Sequence, residues 1–337
     1  MSDRLRWGIL STAHHAQAKM IGPINAGAYG TVTAIASRDL GRAQTVADRL
    51  GIPKAYGSYD TLLADPEIDA VYNPLPNHLH VPVSVQAMEA GKHVLCEKPI
   101  AMTAAEAATL VEAEQRTGRQ VMECFMVRFH PQWLAVRDLI AAGRIGTITA
   151  IQGYFAYFND DPTNIRNKPE TGGGGVYDIG VYPITTSRLV MGTEPTRVAA
   201  TTLKDPRFGT DRMAAVMLDF GGIPTVFTCA TQSTLAQRMQ IFGTQGMITV
   251  EIPFNAPNDR PTRIVLDDGR DLHGSGQEVV EVPAVDQYTL MADGFAQAIL
   301  ASERVPLPIT DGVANMAVVD AVFRAADTNR WEPVAAH

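Results

Sequence analysis

Cysteine is scarce. Cys96, Cys124 and Cys229 are the whole complement in 337 residues, odd in number and scattered. This excludes a disulfide framework and a zinc site, and it fits a reducing compartment. No apolar run approaches the ~20 residues that cross a bilayer. The opening Met-Ser-Asp-Arg-Leu-Arg lacks the long apolar core of a secretion signal. No membrane association is expected. Blocks of Lys or Arg are also missing and the net charge is -8, so a nucleic-acid partner is not expected. Repeats and low-complexity stretches are absent. These absences predict a cytoplasmic protein. What is present is a hydrophobic share of 46% against 19% charged, enough for a large core, and a length that suggests two domains.

The first third alternates strand and helix patterns. Residues 5–10 read as a strand, Ser11, Thr12 and Ala13 as a small-residue turn, and 14–26 as a helix. Such a turn, with Gly8 before it, lets backbone approach a pyrophosphate, and the helix start supplies N–H groups for anions. A second strand, 31–36, ends in Ser37-Arg38-Asp39. An acidic residue leading here would hold ribose hydroxyls. Ser37 and Arg38 come first instead, and the Arg38 fork suits a 2′-phosphate. Asp39 reads as the N-cap of helix 40–50. The expectation is NADP, with NAD admitted if Asp39 turns toward the ribose.

A strand at 69–72 runs into a turn holding Asn73, Pro74, Leu75, Asn77 and His78, at the sheet edge where ligands bind in such folds. His80 opens the next helix, 81–90, where a structural role is the ordinary one. The run His93 to Cys96 is a short buried strand stopped by Glu97-Lys98-Pro99. A lysine there is poorly hydrated and easier to deprotonate than one in water. Glu97 can orient it. Thr103 and Glu106 form a capping box for a helix to 117, and 120–125 is the last strand of this domain.

The pattern then changes. Helix 131–142 precedes an aromatic strand, 148–158, a polar loop and the run Gly172 to Gly175. A helix follows to about 191, then four to six strands between 197 and 282, and two amphipathic helices near 286–302 and 311–327. The expected class is α/β: a Rossmann dinucleotide-binding domain at 1–125, and at 126–337 an α+β domain with a large, mostly antiparallel open sheet.

Asp178 and Tyr182 are four residues apart and share a helix face if the helix has begun by Asp178. A lysine ammonium near a tyrosine hydroxyl stabilises phenolate. Lys98, Tyr182 and Asp178 are therefore candidates for a proton-transfer site. Read alone, Asp178 fits a helix cap better and Tyr182 a half-buried core ring.

Taken together, Gly8 with Ser11-Thr12-Ala13, the turn Asn73 to His80, Glu97-Lys98-Pro99 and Gly172 to Tyr182 resemble, in order and spacing, the Gfo/Idh/MocA oxidoreductases. The resemblance covers essentially the whole chain. The segment Glu123 to Pro131 is similar to the branch of dihydrodiol dehydrogenases, NADP-dependent D-xylose dehydrogenases and, more distantly, glucose–fructose oxidoreductase. The family more often has Gly at positions 11 and 13, and many members have His at 182; the tyrosine favours a sugar or diol over an inositol-like substrate.

The resemblance implies that Lys98, Asp178 and Tyr182 line a substrate pocket. Arg128 and Arg166 are added as residues positioning nicotinamide or substrate. It also implies a homo-oligomer, dimer or tetramer, formed through the open sheet face. The expected activity is NAD(P)-dependent hydride transfer at a hydroxyl or carbonyl carbon of a sugar, polyol or cyclic diol. The alternatives are an NAD-dependent glycoside hydrolase with a recycled cofactor and a non-catalytic NADP-sensing regulator. No metal is expected.

Overall fold

The computed structural model describes residues 4–335. Two compact units emerge: residues up to Met126 with Tyr288–Met316, and Val127–Gln287 with the chain from Ala317 on.

The first unit is a six-stranded, wholly parallel sheet. Its strands are β1 (Leu5–Leu10), β2 (Gly30–Ala36), β3 (Lys54–Tyr56), β4 (Ala70–Asn73), β5 (His93–Cys96) and β6 (Val121–Glu123). They lie in the order β3-β2-β1-β4-β5-β6. The order reverses between β1 and β4, which opens a crevice beyond their carboxyl ends. Trp7, Ile9, Leu10, Tyr72, Val94 and Leu95 are fully buried, as strands covered on both faces require.

The helices are α1 (His14–Lys19), α2 (Ile21–Ala26), α3 (Leu40–Leu50), α4 (Tyr59–Leu63), α5 (His80–Glu89) and α6 (Ala104–Thr117). One helix was expected over 14–26, but the chain breaks at Met20 (φ -123°). Pro23 has no N–H, and its ring would collide with the carbonyl four residues back in a continuous helix. Restarting at Ile21 leaves Pro23 in a first turn, where it is tolerated. β3 and α4, of three and five residues, carry too little periodicity to be seen in the sequence. Asp39 caps α3, its Oδ1 accepting the Arg42 N–H at 3.2 Å. Thr103 caps α6 by accepting the Glu106 N–H at 3.1 Å.

The second unit begins with α7 (Pro131–Ala141) and β7 (Ile148–Phe158). A π-helical turn, Val176–Gly180, leads into α8 (Val181–Met191). Then come β8 (Arg197–Lys204), β9 (Asp211–Asp219), β10 (Pro224–Ala230), β11 (Gln232–Gly243), β12 (Met247–Val250), β13 (Thr262–Asp267) and β14 (Gln277–Val282). Seven strands stand where four to six were expected. The sheet has nine, ordered β14-β13-β12-β11-β7-β10-β9-β8-β15, with β15 at Glu332–Pro333. β7 and β10 pair in parallel; every other pairing is antiparallel.

The two closing helices are α9 (Gln287–Leu300) and α10 (Ile309–Thr328). A second domain running unbroken over 126–337 is corrected here, because 288–316 belongs to the first unit. Phe295 packs on Trp7 at 5.2 Å between ring centroids. The Asp293 carboxylate accepts the Ala28 and Tyr29 N–H groups at 2.9 and 3.1 Å. Amphipathic periodicity says that a helix has an apolar face but not what the face meets. Among the described residues no helix is long and apolar enough to cross a membrane.

Candidate active site

In the first unit the Glu97-Lys98-Pro99 stretch leaves the end of β5. The Glu97 side chain is 14% exposed. It accepts the Tyr72 hydroxyl at 2.6 Å, lies 3.3 Å from His15 Nε2, and takes the Lys98 backbone N–H at 3.3 Å. Burial works against its charge, but His15, the Tyr72 hydroxyl and Lys98 outweigh burial and hold its carboxyl down to about 2. Glu97 is therefore a fixed anion beside Lys98. Burial, with Glu97, raises the Tyr72 hydroxyl well above its ordinary range, so Tyr72 stays a neutral donor.

The Lys98–Pro99 peptide is cis. The Pro99 carbonyl meets His80 Nδ1 at 2.6 Å, and the other ring nitrogen meets the Leu75 carbonyl at 2.7 Å. His80 is 1% exposed. It braces the two loops, which is the structural role expected of it.

The expected cofactor ligands of this unit differ in how accessible they are. A Cβ on Gly8 would lie 2.7 Å from Leu62 Cδ2. A side chain at Gly8 would therefore crowd Leu62 where α4 packs on β1. Asn73 is fully buried, and its amide is committed inside the turn: Nδ2 donates to the His80 carbonyl and Ser84 Oγ, and Oδ1 accepts the Leu75 N–H. It shapes the turn that was expected to touch the cofactor. Leu75 is buried, Pro74 and Asn77 are half-buried, and His78 is exposed.

The turn after β1 forms a candidate cradle. Ser11, Thr12 and Ala13 follow β1 at the point where the strand order reverses, and all three are partly accessible. Ser11 Oγ takes the Ala13 N–H at 3.0 Å, and no side chain caps the start of α1. Ser11 holds φ at 155°. At the end of β2, Ser37 is buried and its Oγ accepts the Asp39 N–H at 3.3 Å, while Arg38 is exposed. Asp39 turns to α3, as expected. The site fits a phosphate-bearing dinucleotide: small residues and backbone donors at the turn, and an accessible guanidinium at the ribose end.

In the second unit the Asp178 carboxylate is 12% exposed. Its Oδ2 accepts the Tyr157 hydroxyl at 2.5 Å and lies 2.9 Å from Arg166 Nε. Burial and then Asp178 raise the Tyr157 hydroxyl, so it remains protonated. Asp178 raises Arg166 further above its ordinary range. The helix has begun by Asp178, in the π form. Tyr157 lies in the aromatic strand and was not singled out from the sequence. The alternation of β7 is the available signal, but not its partner 21 residues away. Tyr182 is 6% exposed, edge-on to Phe155 at 5.6 Å and tilted against Phe254 at 5.6 Å. Arg128 Nη1 donates to Thr185 Oγ1, one turn along α8, at 3.4 Å.

A reversing parallel sheet with such a cradle, joined in one chain to a mixed sheet carrying a Tyr–Asp–Arg cluster, defines an NAD(P)-binding oxidoreductase. Residues 6–125 match the family model described as an oxidoreductase family with an NAD-binding Rossmann fold, and 133–249 match the GFO/IDH/MocA C-terminal domain. The chain belongs to the Gfo/Idh/MocA family. It is 45% identical to an uncharacterized oxidoreductase of Rhizobium meliloti over 98% of this chain and 100% of that one. A D-xylose 1-dehydrogenase (NADP(+)) of Haloferax volcanii is 35% identical over 96% of this chain and 98% of its own. A 3-ketoreductase from Actinomadura kijaniata, solved with NADP and TDP-benzene, superposes with a TM-score of 0.90 at 29% identity, over 96% and 98% of the two chains. That ketoreductase has also been solved with one lysine replaced and with one tyrosine replaced. The two stand as far apart in its chain as Lys98 and Tyr182 do here.

Proposed function

We propose that this oxidoreductase prefers NADP and acts at a CH–OH or carbonyl carbon of a sugar, polyol or cyclic diol. The observation that carries the reading is the Asp178 carboxylate, held by Tyr157 and Arg166 at the head of the helix bearing Tyr182. An anchored, ionised acceptor of this kind suits a hydroxyl-rich neutral substrate.

When bound, the nicotinamide supplies the hydride acceptor or donor. The chain's own residues handle the proton and the pose. Lys98 and Tyr182 are the proton-transfer groups. Asp178 accepts a substrate hydroxyl, while Tyr157 and Arg166 keep it oriented; Arg128 steadies α8. The spacing of the replaced lysine and tyrosine in the ketoreductase supports the pairing. A regulator that only senses NADP has no use for this set. The test is a screen of aldoses, polyols, diols and glycosides with both cofactors, following nicotinamide absorbance. Cleavage of a glycoside without net cofactor turnover would favour the hydrolase reading.

Cofactor choice rests on Arg38. A charge-assisted hydrogen bond to a 2′-phosphate is worth roughly 1.5–3 kcal/mol, about ten- to a hundred-fold in affinity. The kcat/KM ratio for NADP⁺ over NAD⁺ is expected to exceed one and to collapse in Arg38→Ala, chiefly through KM for NADP⁺. A ratio indifferent to Arg38 would show that the end of β2 does not read the phosphate.

Assembly is proposed through the bare sheet face. Leu203, Met213, Met217 and Val226 are exposed there on neighbouring strands, Leu203 opposite Met213 and Met217 opposite Val226. Apolar residues aligned in this way call for a partner. Light scattering is expected to report a dimer or tetramer; a monomer at working concentration would remove the idea.

A further inference from the structure

Asp211, the first residue of β9, is a buried carboxylate, 6% exposed, with no part in the chemistry described above. Its Oδ2 accepts the Val176 N–H at 2.7 Å, and the Gly175 N–H also bonds to it. Val176 is the first residue of the π turn that carries Asp178. The adjoining glycines are shaped around this carboxylate. A Cβ on Gly174, whose φ is +122°, would lie 2.0 Å from Asp211 Oδ1. The Gly174 N–H donates to the Arg166 carbonyl at 2.9 Å, and its own carbonyl accepts the Asp178 N–H at 3.1 Å. One short run of backbone thus ties Asp211 both to Asp178 and to the residue paired with it.

We infer that Asp211 is the positioning residue for Asp178: its carboxylate anchors the Gly174–Val176 turn and thereby sets where the Asp178 side chain stands. The inference rests on the reading of Asp178 as a substrate-binding group.

The surroundings make this anchor sensitive to pH. Lys204 on β8 and the Cys229 thiol on β10 face Asp211, the π turn brings Asp178, and the glycines bring no charge. Burial pushes the Asp211 carboxyl up, the Val176 and Gly175 N–H groups and Lys204 oppose it, and the outcome is about 7. A carboxyl raised in the folded state costs stability as pH climbs from its ordinary 3.8 through about 7, because the unfolded chain gives up the proton first. The fold gains no stability from ionising Asp211, which agrees with a role in the site. Above about 7 the oxygens are anionic acceptors for the two N–H groups. Below it one oxygen carries a proton, the acceptors weaken and the turn loosens.

The experiment compares the native protein, Asp211→Asn, Gly174→Ala and Asp178→Asn in kcat, KM and pH profile with the best substrate. Native kcat is expected to rise with pH through about 7. Asp211→Asn should lose that limb and sit near the native low-pH value, on the order of 10–10²-fold below native at alkaline pH, as expected for a misplaced orienting group. KM for NADP⁺ should not move. Gly174→Ala, which pushes the turn off the carboxylate, should lower kcat similarly; it decides the question if Asp211→Asn does not fold. If Asp178→Asn turns over normally, the site reading itself fails and the inference with it. If Asp178→Asn is impaired while Asp211→Asn, or Gly174→Ala in its place, keeps native kcat and pH profile, Asp211 has no positioning role and the site reading stands.

Discussion

Replacing Lys98 with methionine should lower kcat by about 10²–10⁴-fold, the range expected of an acid–base group, while NADP⁺ affinity and Tm stay near native. The expectation follows from how the site is built. Glu97 is seated by Tyr72 and His15, and Pro99 is held through its carbonyl by His80. The backbone around Lys98 is thus positioned by its neighbours. Methionine keeps much of the aliphatic length and removes the ammonium. Stopped-flow and steady-state rates, with cofactor binding by fluorescence, check the split. Near-native turnover in the variant would remove Lys98 from the mechanism.

Tyr182→Phe is the second large effect. The ring is nearly buried, against Phe155 and Phe254, and phenylalanine keeps those contacts. The variant deletes one hydroxyl, so stability should change little. A kcat loss on the order of 10²-fold or more is expected if the hydroxyl moves the proton. The pH dependence of the residual rates then separates the two groups: the variant lacking the proton acceptor loses the limb in kcat that reports its deprotonation. Native kcat in the phenylalanine variant would leave Tyr182 as a packing residue.

The sequence carried the parts of this structure that are local. Alternating strand and helix patterns set out most of the parallel sheet, and the side-chain oxygens of Asp39 and Thr103 announced two helix starts through hydrogen bonds only three residues long. Glu97-Lys98-Pro99 stood out because an apolar strand ends abruptly in charge. Pro23 was a local signal too, overlooked inside an otherwise helical pattern.

What remained hidden is long-range. The return of α9 to the first unit depends on Phe295 finding Trp7, 288 residues earlier. Tyr157 and Asp178 meet only after β7 and the π turn pack together. The packing of Leu62 over Gly8 was hidden as well, because Leu62 belongs to a helix too short to be seen. Asp211 opens an unremarkable strand by sequence; only the fold places it under the turn at Val176, 35 residues upstream.

The central claim is hydride transfer between nicotinamide and a hydroxyl-bearing carbon. It is tested most directly with a turned-over substrate carrying deuterium at that carbon, incubated with the native protein and NADP⁺. Reduced cofactor should accumulate in step with oxidised product and carry the deuterium. Product formed without net reduced cofactor, or reduced cofactor free of deuterium, would contradict the claim.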